Sequence, residues 1–401
     1  MKIHFIIITL FAMLLQAGCT EPYDIETLDY ENVLVVESTI TDRLQTQIVK
    51  LSRSTILENP QILFEANANV EVSSSGGERY LFTWSEENGY YKSNVPFAAQ
   101  LGNTYSLKIK TQDGKEYTSS EVELPPTVAI DEVFAERVTD PLENKDGVQI
   151  MVNTEDPSGN AVYFRYEYEE TYKVVAPYPS PYTFEITNFS DENYTFNINL
   201  SPRDPQEICY STEYATGINQ VAVSELNENR IYRFPIKYLS KTNAKLQERY
   251  SILVKQYVQS SEAYTFYKII NDLGSLESLL SQGQPGYVAG NIKLNANPNE
   301  KVLGFFEVAT VTDKRIYFNY NDFNLPKPPY FIDCDYLVLD YRDNTTLDND
   351  PNDRETLFTY LSYFDYQIVE YAPPYTYYIA KLECTVCNSF SSNTRPDFWE
   401  D

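Results

Sequence analysis

Histidine is almost missing from this chain of 401 residues: the single one is His4. Methionine (3), tryptophan (2) and glycine (14) are also sparse. Basic residues are in deficit, with 31 Lys+Arg against 58 Asp+Glu and a formal charge of −27. That balance argues against a nucleic-acid binder, which needs a positive face towards phosphate. It also argues against electrostatic docking on anionic lipid. No Gly-rich phosphate loop occurs. What is abundant is aromatic: 14% of the residues, 35 of them Tyr. A chain this aromatic, with 42% hydrophobic residues, is ordered and long enough for two domains or one large one.

The N-terminus has the order of an export signal. Lys2 supplies a positive end, and Phe5–Leu15 (FIIITLFAMLL) an apolar run. The run is well short of the ~20 residues that span a bilayer, so it reads as a signal-peptide core and not an anchor. Ala17 and Gly18 then precede Cys19, with Gln16 where leucine is usual. This looks like a bacterial lipobox. Residues 1–18 are predicted to be a signal peptide, Cys19 the acylated residue and 19–32 a lipidated tether. The competing reading is an ordinary signal peptide with a coincidental cysteine. Removal of residues 1–18 also removes His4. Ser-His-Asp and Cys-His catalysis, imidazole zinc sites and HExxH chemistry are then excluded.

The remainder reads as mainly β. Val33–Val36, Gln47–Leu51, Asn69–Ser73, Tyr80–Trp84, Tyr105–Lys110 and Glu116–Leu124 are short strand-like segments. Ser75-Gly76-Gly77 and Asp113-Gly114 supply turns between them. About seven strands in this span predict an immunoglobulin-like β-sandwich over residues 33–126. Pro125-Pro126 is the linker candidate, because Pro-Pro cannot join a sheet interior. A larger β-sandwich or barrel-like domain is predicted over 127–401. Its alternating strands include Ala161–Glu169, Tyr194–Leu200 and Arg249–Val258. One segment, 260–282, breaks the alternation. Ala263, Phe266, Tyr267, Ile270, Leu273, Leu276 and Leu280 recur at helical spacing, so a short helical insertion is predicted there. Leu253, Phe266, Ile270 and Phe305 are predicted to be core residues.

Four groups of residues could carry chemistry or binding. After lipidation, Cys209, Cys334, Cys384 and Cys387 remain, an even number in a non-reducing compartment. Two disulfides are predicted, with three connectivities open. Cys384-x-x-Cys387 lacks the βαβ context of a redox motif, and a four-cysteine zinc site is the alternative use of the set. Two tyrosine-proline loops, 176–182 and 371–378, offer Tyr178, Tyr182, Tyr375 and Tyr377 for a glycan or peptide, or simply bury rings in turns. The acidic run with Asp348, Asp350, Asn352 and Asp353 has oxygen donors suited to calcium but lacks the EF-hand glycine. A carboxylate pair could run glycoside hydrolysis without histidine, yet nothing singles out two of the acids. No cofactor is called for.

The stretch Arg249–Tyr317 is the most distinctive. It combines a strand, an aromatic-faced helix, Gly290-Asn291, the phrase Val302-Leu303-Gly304-Phe305-Phe306 and Arg315. Together with Val33–Asp42 (VLVVESTITD) and the C-terminal Cys384-x-x-Cys387 and Arg395–Trp399 (RPDFW), it resembles the DUF4249 family of Bacteroidota lipoproteins. Glu21, Asp24 and Glu26 after the cysteine are similar to the surface-export signals of such proteins. The resemblance implies a lipid-anchored outer-membrane protein, periplasmic or at the cell surface. It implies a non-enzymatic accessory partner or lid of a TonB-dependent transporter.

Overall fold

The computed structural model describes residues 32–55, 61–140, 145–190, 195–225, 230–274, 288–341 and 353–401. The chain is mainly β, arranged in sandwich-like layers with a few short helices.

The first layer grows from the alternating segments. In space, Leu34–Thr41 is followed by Ile48–Arg53, Tyr90–Ser93, Arg79–Ser85, Asn69–Ser74, Thr104–Lys110 and Glu116–Ser119. Period-two alternation sends Leu34, Val36 and Ile40 inward to meet Val49, Leu51, Val70, Val72, Leu107 and Ile109. Glu37 and Lys50 pair on the opposite face. The predicted turns are in place: Gly77 (φ 100°) and Gly114 (φ 85°) hold left-handed conformations that a side chain would strain. The sheet curls, and Ile292–Leu294 pairs with Glu116–Ser119 to finish it.

The second layer is a sandwich. Tyr250–Gln259, Tyr163–Val175 and Ile208–Tyr214 extend the same sheet. A separate sheet of Glu132–Asp140, Lys145–Thr154 and Ile231–Ser240 covers one face of it. Val148, Ile150 and Val152 from the small sheet meet Phe164, Tyr166, Ile252 and Val254 from the large one. A third apolar cluster joins the hairpin of Tyr182–Ser190 and Thr195–Pro202 to the sheet of Tyr336–Asp340, Tyr366–Ala372 and Thr376–Lys381.

One strand belongs to both of the first two units. Val302–Phe318 is 17 residues long. Its residues 302–309 run parallel to Leu34–Thr41, and its residues 310–318 run antiparallel to 250–258. The expected boundary at 126 therefore does not separate two self-contained domains. Residues 33–126 lack their last strand and part of their core until 292–309 arrive. Pro125-Pro126 does turn the chain out of the first sheet, and the Pro126 carbonyl accepts from Thr310 Oγ1 at 2.9 Å. A linker is visible locally, whereas a parallel pairing across more than 260 positions leaves no local signature.

The predicted helix forms as α1, Ser261–Gly274, with Ser260 Oγ accepting from the Ala263 amide at 3.1 Å. The continuation to 282, with Leu276 and Leu280, lies outside the described residues. Phe266 and Phe305 are buried against each other, ring centroids 5.2 Å apart. Ile270 is exposed and Leu253 only half-buried, against expectation. The reason is shared: the sheet face that carries Leu253 is turned away from the main cores, and α1 covers only part of it. A second helix, α2 at Asp353–Tyr363, was not expected, because its residues show little helical segregation of apolar from polar. A one-turn helix, α3 at Leu382–Thr385, precedes Cys387.

Candidate functional site

The partly uncovered face of the shared sheet carries the site. On Leu34–Thr41, Val35, Glu37 and Thr39 point to it; on Tyr163–Val175, Arg165 and Glu167; on Tyr250–Gln259, Tyr257. Together with Phe266, Tyr267 and Ile270 of α1 they line a cleft of ≈ 750 Å³ at the seam between the two units. That volume suits a small ligand or a short segment of a larger one.

Its floor is a buried charge network. Arg165 Nη2 donates to Glu307 Oε2 at 2.9 Å, and Nη1 pairs with Glu167. Glu307 is fully buried and also accepts from Thr39 Oγ1 at 2.8 Å and Gln259 Nε2 at 2.6 Å. The Arg165 guanidinium sits over Tyr257 (4.4 Å to the centroid) and Tyr267 (5.3 Å). Burial alone would lower its pKa, but Glu307 and Glu167 outweigh that and raise it, so the cation is permanent. Burial, then the nearby carboxylates, pushes the Tyr257 and Tyr267 hydroxyls well above their ordinary range, so both stay neutral donors. Tyr257 donates to Glu167 Oε2 at 3.1 Å. Two buried atoms in the network, Arg165 Nε and Gln259 Oε1, have no partner among the described residues.

Charges of both signs meet at the cleft: Lys50 and Arg165 stand against Glu37, Glu167 and the buried Glu307. Hydroxyl and amide groups of Ser38, Thr41, Gln45 and Thr216 complete the polar rim. The arrangement can hold a neutral polar ligand by hydrogen bonds and aromatic contact. Both floor carboxylates are committed to Arg165.

The residues singled out from sequence lie elsewhere. Cys19 is outside the described residues, as are Asp348, Asp350 and Asn352. Asp353 begins α2, and no group of three metal-ligating side chains occurs among the described residues. The four remaining cysteines form Cys209–Cys387 and Cys334–Cys384, which settles the connectivity. The Cys384-x-x-Cys387 pair is thus divided between two bridges and cannot act as a dithiol. The tyrosine loops pack mostly on the third apolar cluster. Tyr178 meets Tyr336 at 4.8 Å, its amide bonds the Cys384 carbonyl at 2.9 Å, and Tyr377 stacks on Tyr371 at 4.7 Å. Tyr182 packs in the same cluster, and of the four only Tyr375 is well exposed. Arg165 and Glu307 were missed. A glutamate inside the apolar run Val302–Val311 was the available signal, because a charge at a core-like position needs a buried partner.

The distinctive sequence phrases have structural explanations. Gly304 has φ 97°, and a Cβ there would collide with the Val36 carbonyl where the parallel strands meet. Gly290 lies so close to the Gly304 carbonyl that a side chain has no room. Asn291 imitates a strand: its Nδ2 donates to the Phe306 carbonyl at 2.8 Å and its Oδ1 accepts from the Phe306 amide at 2.9 Å. Arg315 bonds Glu169 at 2.9 Å and Ser251 at 3.0 Å, with Phe398 of the C-terminal segment 3.6 Å over its guanidinium.

No curated protein is significantly similar to this chain. The family model described as Domain of unknown function (DUF4249) matches residues 20–315 and so includes the first unit, both glycines, Asn291, the buried Arg165–Glu307 pair and Arg315. The chain belongs to the DUF4249 family.

Proposed function

We propose that this protein is a lipid-anchored outer-membrane protein that works without catalysis as an accessory partner or lid of a TonB-dependent transporter, in nutrient capture or assembly of a surface complex. The observation that carries the anchoring is the order of Lys2, the apolar run Phe5–Leu15 and the small residues before Cys19. Several acyl chains on one residue would hold the chain stably, since each buried CH₂ adds about 0.8 kcal/mol. The two disulfides support an oxidising compartment. The transporter as partner rests on the resemblance of the family to accessory lipoproteins. The test is purification of the native protein from gently solubilised outer membrane, followed by mass spectrometry. A β-barrel should co-purify, and Cys19→Ala should move the protein to the soluble fraction. A lone species in mild detergent would defeat the proposal.

A second reading, a glycan- or peptide-binding module, is favoured by the hydroxyl-rich cleft at the seam rather than by the tyrosine loops. It expects Lys50→Ala or Glu37→Ala to weaken retention on a glycan or peptide array, and Tyr375→Ala to leave it unchanged.

A further inference from the structure

Three adjacent strand ends meet where the described chain begins. The Val33 amide donates to Ser54 Oγ at 3.0 Å, and the Ser54 amide to the Val33 carbonyl at 2.9 Å. Leu34 pairs with Arg53, and Arg53 with Leu63. Residues 62 and 63 therefore lie two strand spacings, about 10 Å, from the point where the backbone leaves towards Cys19. At this point the surface is apolar. Ile62 is 67% exposed, Leu63 47% and Phe64 51%, three large side chains in succession. Single exposed apolar residues need no explanation, but three in succession at an edge strand do.

We propose that Ile62, Leu63 and Phe64 form a docking tip that enters the surface of a neutral or zwitterionic lipid layer and orients the anchored protein on it. The inference rests on lipid attachment at Cys19. The 13 residues from Thr20 to Asn32 reach at most about 45 Å, so an anchor at Cys19 keeps the tip within reach of the bilayer. Such tethering raises the local lipid concentration seen by a weak apolar contact. Charge selects the lipid. Arg53 and Glu65 beside the tip neutralise each other at 2.5 Å. The turn that touches Phe64 through Gly89 carries Glu86 and Glu87, which would be repelled by an anionic surface. An aromatic and two aliphatic side chains on a small tip match the shallow burial of interfacial anchors.

The two tryptophans supply the assay. Trp84 lies 5.8 Å from Phe64, whereas Trp399 is buried against Tyr210 in the second unit. The chain from Cys19 to Asp401 has one free thiol once its disulfides have formed, so a maleimide lipid can be coupled at Cys19. Trp399→Phe and Trp84→Phe versions are then incorporated in phosphatidylcholine vesicles, with and without bromine at shallow acyl positions. Bromine should reduce Trp84 emission and leave Trp399 emission unchanged. Replacing Ile62, Leu63 and Phe64 together by Ser should abolish the Trp84 loss while flotation with the vesicles persists. Equal emission of Trp84 on both vesicles, in protein that floats, overturns the proposal. So does Trp84 quenching that survives the triple replacement. Because the lipid is attached chemically, the result is independent of natural acylation. That is read separately from the mass of the native N-terminal peptide, where an unmodified Cys19 would overturn the anchoring and leave the vesicle result standing.

Discussion

Replacing Arg165 by Met leaves Glu307 fully buried with Thr39 and Gln259 as partners but no opposing charge. Removing one member of a buried ion pair costs about 3–5 kcal/mol, chiefly through the stranded charge. Glu307→Met has the same expected cost, since Arg165 is then left with the more exposed Glu167 and the faces of Tyr257 and Tyr267. Replacing both by apolar side chains of similar volume removes the stranded charges, and such exchanges are often close to neutral. The double variant should therefore cost at least about 3 kcal/mol less than the sum of the single costs. Guanidinium denaturation with intact disulfides measures this, using fluorescence and far-UV circular dichroism to check that the transitions coincide. Additive costs, or a cost for Arg165→Met below about 1 kcal/mol, would falsify the description of the floor as a mutually dependent pair.

Four further outcomes are expected. Gly304→Ala should lower the midpoint strongly, because a positive φ costs about 1–3 kcal/mol before the clash with Val36 is added; a variant as stable as the parent would contradict the close approach. Residues 33–126 expressed alone should fail to give dispersed amide resonances, since they lack Val302, Phe306 and Val308 of their own core. Non-reducing peptide mapping should recover the 209–387 and 334–384 pairs and no 384–387 pair, and reduction should cost about 2–5 kcal/mol per bridge. Alkaline pH should destabilise the fold. Burial and the bond to Glu213 push the Tyr172 hydroxyl up to about 12, and burial with Tyr371 nearby pushes Tyr377 up to about 12. A tyrosine whose folded pKa exceeds its unfolded value contributes stability that is complete below about pH 10 and is lost as pH rises towards 12. Thermal midpoints measured from pH 9 to 12 should fall in that window, and a flat profile would count against these assignments.

Much of the β-structure was legible because it is locally encoded. The segments Asn69–Ser73, Tyr80–Trp84 and Tyr105–Lys110 each formed as strands within a residue or so, and the Gly77 and Gly114 turns followed from side-chain-free backbone. What was not legible is non-local. The parallel pairing of Leu34 with Val302 depends on a partner far along the chain, so the 33–126 segment read as complete when it is not. The helix Asp353–Tyr363 was hidden by weak segregation and by Tyr, Thr and Phe, which favour strands. The cleft escaped for the same non-local reason. Arg165 and Glu307 are 142 positions apart, and each looks unremarkable until the sheet sets them side by side.

The seam strand also decides how the molecule would carry load. Traction at residue 33 along the axis of Leu34–Thr41 meets ladders on both flanks, to Ile48–Arg53 and to residues 302–309. Such a pull works in shear, so the ladder must rupture as a whole and cannot peel open rung by rung. Tension entering at residue 33 is passed by Val302–Phe318 directly to the second unit, where 310–318 are zipped to 250–258. A body held at that end would rotate or translate as one piece before it came apart.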